Sequence, residues 1–210
     1  MGFIKEDLRN ITPTRLNEIK YRITKYANFI SRVIYDMKWY DPPLQTIRNP
    51  MFKTELNEVL KFIVDNIFQR TSDQVKNISF ELQLEDALPI VSVNEFVVWE
   101  IIEPLIQNSV EHTHKDQIKI TLKTCYDKKL KQIRLQVKDN GDGVRPDLLE
   151  INDLGVKKMF LENISTKQGE QNSGYGCFLA HEICRRCGWQ LDVDNCPPYG
   201  CCYTIIIPVH

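Results

Sequence analysis

The stretch "VKDNGDGV", residues 137–144, places two aspartates, one asparagine and two glycines in eight positions. It follows "QIRLQ", residues 132–136, where apolar and polar residues alternate as they do in a half-buried strand. Three readings compete: a surface turn, a calcium loop, or the floor of a nucleotide site. A calcium loop of the EF-hand type needs oxygen ligands at positions 1, 3 and 5, glycine at 6 and glutamate at 12. Counted from Asp139, positions 3 and 5 are Gly141 and Gly143, so that pattern fails. A bare turn accounts poorly for what comes next, a break marked by Pro146 and then a long irregular stretch with no partner strand. Glycines let a backbone approach a flat ligand closely, and a carboxylate at a strand end can accept hydrogen bonds from an amino group. That chemistry suits a purine base.

The segments around this loop describe a compact mixed domain. "TELNEVLKFIVDNIFQRT" (54–71) reads as a helix and "ISFELQLED" (78–86) as a strand. "NEFVVWEIIEPLIQNSVEHT" (94–113) reads as a second helix, with Asn94 as its N-cap. The strands "QIKITLKTCY" (117–126) and "KQIRLQVKD" (131–139) form a hairpin through "DKKLK". After the irregular stretch 145–171 come the helix "GYGCFLAHEICRRCGW" (174–189) and two strands, "QLDVDN" and "CCYTIIIP", around the turn "CPPYG". Helices mixed with antiparallel strands in this order predict an α+β fold, a two-layer sandwich with the helices on one face of the sheet.

Further upstream the pattern changes. Leu16, Ile19, Ile23, Tyr26, Ile30, Val33, Met37 and Tyr40 recur in steps of three and four, the seam spacing of a coiled coil or bundle. One long helix is predicted, started by Thr12-Pro13 and stopped by "DPP" at 41–43, because proline lacks the amide donor and disfavours helix in the residue before it. Its single apolar stripe needs either the following domain or another chain to cover it, and the sustained heptad favours a dimerising helix over 14–40. The expected division is therefore 1–45, the long helix, and 46–210, the mixed domain.

Bulk properties narrow the partners. The 27 basic and 28 acidic residues nearly cancel, so no overall field draws the chain to nucleic acid or to an anionic membrane. No apolar run approaches the roughly 20 residues that span a bilayer, and "MGFIKEDLRN" lacks the pattern of a signal peptide, so a soluble, cytoplasmic chain is expected. Seven cysteines, an odd number, fit free thiols in a reducing compartment. The spacing of Cys184, Cys187, Cys196, Cys201 and Cys202 raises a zinc site. Yet Cys184 and Cys187 fall on a predicted helix and Cys201 and Cys202 on adjacent strand positions, where thiols behave as small buried hydrophobes.

Four boxes in order, "EPLIQNSVEHT" at 103–113, "DNGDG" at 139–143, "FLENISTK" at 160–167 and "SGYG" at 173–176, resemble the ATP-binding catalytic domain of sensor histidine kinases. That domain has the Bergerat-type fold, a mixed, mostly antiparallel sheet shared with gyrase, heat-shock chaperone and mismatch-repair ATPases. The resemblance covers roughly residues 50–208, and the upstream helix is similar to the second helix of a kinase dimerisation domain. It implies that Asp139 recognises the adenine amino group and that Gly141 and Gly143 shape the base pocket. It implies that Asn108 holds the magnesium ion bridging the ATP phosphates, with His112 lining the pocket. Gly174, Tyr175 and Gly176 would bring backbone amides of the next helix to the phosphates. Phe160 and Ile164 match apolar anchors of a lid, and "STK" at 165–167 makes Thr166 and Lys167 phosphate contacts.

The chain departs from the family pattern at several of these positions. Pro104 stands where Asn, His or Glu is frequent, and Glu103 lies about 140° around an ideal helix from Asn108. A kink at Pro104 would let Glu103 act as a general base or orienting carboxylate. Glu111-His112 replaces a pair that often begins with lysine, Asn172 stands where a glycine is common, and Cys177 where leucine is common. The four histidines are His112, His114, His181 and His210, so the phosphoacceptor histidine would lie outside this sequence. Two functions follow from the resemblance. One is the catalytic module of a two-component kinase, which uses ATP and Mg2+ to phosphorylate a histidine of the dimerisation domain and passes the phosphate to a response regulator. The other is a nucleotide-binding module without catalysis that assembles with a signalling partner.

Overall fold

The computed structural model describes residues 51–65, 77–162 and 175–209. The long helix expected over 14–40 and the 1–45 unit lie outside the described residues, as do Ile164, Thr166, Lys167 and Gly174. In chain order the elements are α1 (Leu56–Ile63), β1 (Asn77–Gln83), α2 (Glu95–His112), β2 (Gln117–Asp127), β3 (Gln132–Asp139) and a single turn α3 (Pro146–Leu149). A 3-10 turn (Lys158–Phe160), α4 (Tyr175–Arg186), β4 (Gln190–Asn195) and β5 (Cys201–Pro208) complete them. The five strands form one sheet in the order β1-β2-β3-β5-β4. β1 runs parallel to β2 and every other pairing is antiparallel. The expected two-layer α+β architecture, with a mixed and mostly antiparallel sheet, is the one observed.

Strand alternation builds the core. Ile118, Ile120 and Leu122 on β2, and Ile133, Leu135 and Val137 on β3, are buried, while their neighbours Lys119, Lys123 and Arg134 are exposed. A period of two therefore puts one apolar face toward the helices and leaves a polar face outside. Asp139 continues the buried row of β3, which is how a carboxylate comes to lie beneath the helices. The hairpin between β2 and β3 is closed by Asp127, whose Oδ1 accepts hydrogen bonds from the amides of Lys129 (2.8 Å) and Leu130 (3.0 Å).

α2 is the central helix. Asn94 caps it as expected, its Oδ1 accepting from the Phe96 amide at 3.0 Å. Val97, Ile101, Ile102, Leu105 and Ile106 are all buried, which gives the helix apolar contacts on most sides, against the sheet, α1 and α4. Pro104 lies inside α2, and the helix continues through it from Glu95 to His112. The irregular stretch after Gly143 contains α3 and the 3-10 turn, elements too short for a periodic signal. At the far edge of the sheet, Lys157 donates to the Val193 carbonyl at 2.6 Å and pairs with Asp192 and Asp194, so the free edge of β4 is closed by a side chain. Among the described residues, no helix is long and apolar enough to cross a membrane.

The 3-10 turn is fastened to α4 by Phe160, which is buried and stacks on His181 with ring centroids 4.9 Å apart and planes at 16°. Burial lowers the His181 pKa from its ordinary 6.5, partly offset by the Glu182 carboxylate. A histidine depressed in the folded state binds its proton better in the unfolded chain. Its contribution is therefore present above the unfolded value of 6.5 and is lost as pH falls through the folded one. The urea midpoint is expected to fall between about pH 7.5 and about pH 5, and to fall less in His181→Leu. An equal decline in both proteins would show that other groups set the acid limit.

Candidate functional site

Asp139 ends β3 with its carboxylate 5% exposed and held from three elements. Oδ1 accepts from the amides of Gly141 (2.9 Å) and Cys201 (3.0 Å), and Oδ2 accepts from the Ser109 hydroxyl of α2 (2.9 Å). Three donors compensate a buried anion that would otherwise be costly to desolvate. A carboxylate has about four acceptor positions, so Oδ2 keeps capacity for one more donor. Burial, and then the Asp139 charge, push the thiol of neighbouring Cys201 far above its ordinary range.

The two loop glycines are there for separate reasons. A Cβ on Gly141 would lie 2.7 Å from Thr113 Oγ1 and 3.0 Å from Asp139 Oδ1, so only glycine fits between them. Gly143 has a φ of 83° and abuts Asn195, whose Oδ1 would be 2.7 Å from an added Cβ. Asn195 in turn clamps the loop by accepting from the Val144 amide (2.6 Å) and donating to its carbonyl (2.9 Å). Between the glycines, Asn140 fastens the loop to β2 through the Lys119 amide (2.9 Å) and the Gln117 carbonyl (3.1 Å), while Lys115 donates to the Asn140 carbonyl.

α2 presents Asn108 and Ser109 one after the other, and the helical step of about 100° sends them to different neighbours. Ser109 reaches Asp139, whereas Asn108 Nδ2 donates to Cys177 Sγ on α4 at 2.8 Å. Among the described residues the Asn108 amide oxygen has no hydrogen-bond donor. Burial pushes the Cys177 thiol up to about 11, partly offset by hydrogen bonds with Tyr203 and Asn108. Four residues from Asn108 on either side are Pro104, buried, and His112, exposed in the last turn. A Cβ on Gly176 would meet the Pro104 side chain at 3.2 Å, so this glycine sets the approach of α4 to α2.

The structure therefore brings Asp139, Gly141, Gly143 and Asn108 to one end of the sheet, beside the start of α4, where Tyr175 and Gly176 stand. It places Glu103 elsewhere on α2, with Oε2 accepting from Trp99 Nε1 (2.7 Å) and Oε1 from Gln107 Nε2 (3.0 Å), a ladder of four-residue steps. Phe160 is in the core with His181. Sequence reasoning missed Ser109, Thr113, Asn195 and Gly200. Ser109 was detectable as the neighbour of Asn108, but Asn195 and Gly200 carry no local signal, because their role arises from contacts more than 50 residues away. Gly200 has a φ of 112°, and a Cβ there would fall 2.0 Å from the Asp139 carbonyl oxygen.

Gly155 is a natural control, since its φ is 77° but nothing lies within 4 Å of an added Cβ. Gly155→Ala is expected to cost about 1 kcal/mol from backbone strain alone. Gly200→Ala adds a steric clash and should cost about 3 kcal/mol or more. Denaturant unfolding of both variants checks this, and equal costs would contradict the close approach of β5 to the Asp139 loop.

Comparison with known proteins agrees with this fold. The family model described as histidine kinase-, DNA gyrase B-, and HSP90-like ATPase matches residues 93–210, more than half of the chain. The adaptive-response sensory kinase SasA of Microcystis aeruginosa is 24% identical over 155 residues, covering 72% of this chain and 38% of that protein. SasA of Crocosphaera subtropica is 21% identical over 206 residues, covering 98% of this chain and 50% of that one. The chain thus spans half or less of the length of these curated relatives. Among solved structures, the catalytic domain of the histidine kinase ThkA superposes with a TM-score of 0.61 at 20% identity, covering 75% of this chain and 94% of that one. Full-length ShkA in complex with AMPPNP gives 0.67 at 16% identity, covering 95% and 40%.

Proposed function

Because the chain belongs to the histidine kinase-, DNA gyrase B-, and HSP90-like ATPase family, we propose that its described domain is the ATP-binding catalytic module of a two-component sensor histidine kinase. The observation that carries this reading is Asp139, a buried carboxylate fixed by three protein donors with acceptor capacity left on Oδ2. An exocyclic amino group is the complement of that acceptor, and Gly141 and Gly143 would shape the base pocket around it. The relatives, which are described as sensory kinases, favour phosphotransfer over a module without catalysis.

The donor set fits magnesium. Asn108 offers a neutral, hard amide oxygen, and among the described residues no cluster of three or more His, Cys, Asp and Glu could hold a metal ion. A cation bound here would take its other ligands from phosphate and water, as magnesium commonly does. When bound, magnesium would neutralise charge on the phosphates. Asn108 would orient that charge relative to the base pocket, and Gly174, Tyr175 and Gly176 would approach the phosphates at the start of α4, with Thr166 and Lys167 as further contacts. His112 would border the site. Catalysis of this kind is mainly positioning and charge neutralisation.

In this reading the acceptor is a histidine of a dimerisation domain, residues 14–40 contribute a helix to a homodimer, and a response regulator receives the phosphate in the cytoplasm. The test is titration with a non-hydrolysable ATP analogue in wild type and Asp139→Asn. Asparagine would turn an NH2 group toward donors already committed to the carboxylate, and affinity is expected to fall by about tenfold to a hundredfold. Equal affinity would overturn the adenine assignment. Mixing the chain with a dimerisation domain that carries its histidine then tests transfer. Glu103→Gln is expected to leave the transfer rate within about threefold, far from the hundredfold or more that losing a general base costs. A larger loss at unchanged affinity would assign Glu103 to the chemistry.

A further inference from the structure

The nucleotide site contains a hydrogen-bond relay that the family resemblance does not call for. Asn108 Nδ2 donates to Cys177 Sγ at 2.8 Å, and the Cys177 thiol donates to Tyr203 Oη at 3.8 Å. Cys177 is 6% exposed and Tyr203 3%, so the middle and the inner end of the relay are buried, while Asn108 at the outer end is half-buried. A side-chain amide has two nearly isosteric ends, and only the oxygen can ligate a hard cation or accept from a bound water. Which end faces the ligand depends on what holds the other. Here the nitrogen end is engaged by sulfur on α4, which leaves the oxygen as the end available to a ligand. A thiol has a weak donor and a weak acceptor, so Cys177 can accept from Asn108 while donating to Tyr203.

We propose that Cys177, backed by Tyr203, is a positioning residue that holds the Asn108 side chain with its amide oxygen presented to magnesium. This rests on the nucleotide reading above. It also links two elements mechanically. Cys177 lies in the first turn of α4 and Tyr203 on β5 in register with Val137, so the metal-facing amide is set by the packing of α4 on the sheet. A shift of α4 would release the Asn108 nitrogen and with it the orientation of the oxygen.

The experiment measures affinity for an ATP analogue with and without magnesium in wild type, Cys177→Ala, Cys177→Ser and Asn108→Ala. Removing the partner of a metal ligand typically weakens metal binding about tenfold or more. Cys177→Ala is expected to lose about tenfold of the magnesium-dependent gain, with magnesium-free affinity within about twofold. Cys177→Ser, which can still accept and donate, should restore most of the gain, whereas a merely structural role would lower both affinities together. Without nucleotide, the two Asn108 side-chain amide protons should be well dispersed by NMR in wild type and Cys177→Ser and collapse toward free-amide positions in Cys177→Ala. An unchanged magnesium dependence in Cys177→Ala, with Asn108→Ala losing it, would overturn the proposal and leave the nucleotide reading intact. Absence of nucleotide binding by wild type would overturn the reading itself, and the proposal with it.

Discussion

The buried carboxylate of Asp139 is the constraint around which the rest of this domain is arranged. An anion that is 5% exposed survives only if its environment supplies donors, and here each comes from a different direction: the loop that follows β3, the first residue of β5, and a hydroxyl on α2. These contacts fix where β3 ends, how closely β5 approaches and how α2 is rotated. Gly141 and Gly200 follow from the same requirement, since a side chain at either would occupy space taken by Asp139 or by its neighbour Thr113. The fold thus gives up apolar burial at one point of its core to keep an acceptor oriented and dry.

A second layer of organisation runs through α2. Because consecutive helical residues diverge, the single helix does two things at once: Ser109 supports the Asp139 carboxylate and Asn108 faces α4. Pro104 and Gly176 let the two helices approach closely at the same place. Two of the departures from the family pattern, Pro104 and Cys177, flank this contact, since Pro104 meets Gly176, the residue before Cys177.

Much of this was legible in the sequence, and for identifiable reasons. The hairpin of β2 and β3, the N-cap at Asn94 and the row ending in Asp139 depend on local periodicity and capping, which a single sequence records. The calcium reading failed on ligand spacing, and the two glycines stand where side chains of Thr113, Asp139 and Asn195 leave no room for a Cβ. What the sequence concealed is non-local. Asn195 holds the Gly143 turn from a distant strand, and Gly200 is dictated by a carbonyl on β3. The parallel pairing of β1 with β2 is set by the crossover through α2, not by anything in the strand itself. Glu103 illustrates the opposite limit. Its proximity in sequence to Asn108 suggested chemistry, but its carboxylate is engaged by Trp99 and Gln107 on its own helix.

The central claim is that Asp139 reads the amino group of adenine. The most direct measurement compares, in the wild-type chain, the affinity for ATP with that for purine riboside triphosphate, which keeps the ring, ribose and phosphates but lacks the 6-amino group. A hydrogen bond to a charged acceptor that is lost without replacement predicts affinity lower by about tenfold or more for the analogue. Equal affinity for the two nucleotides would contradict the account.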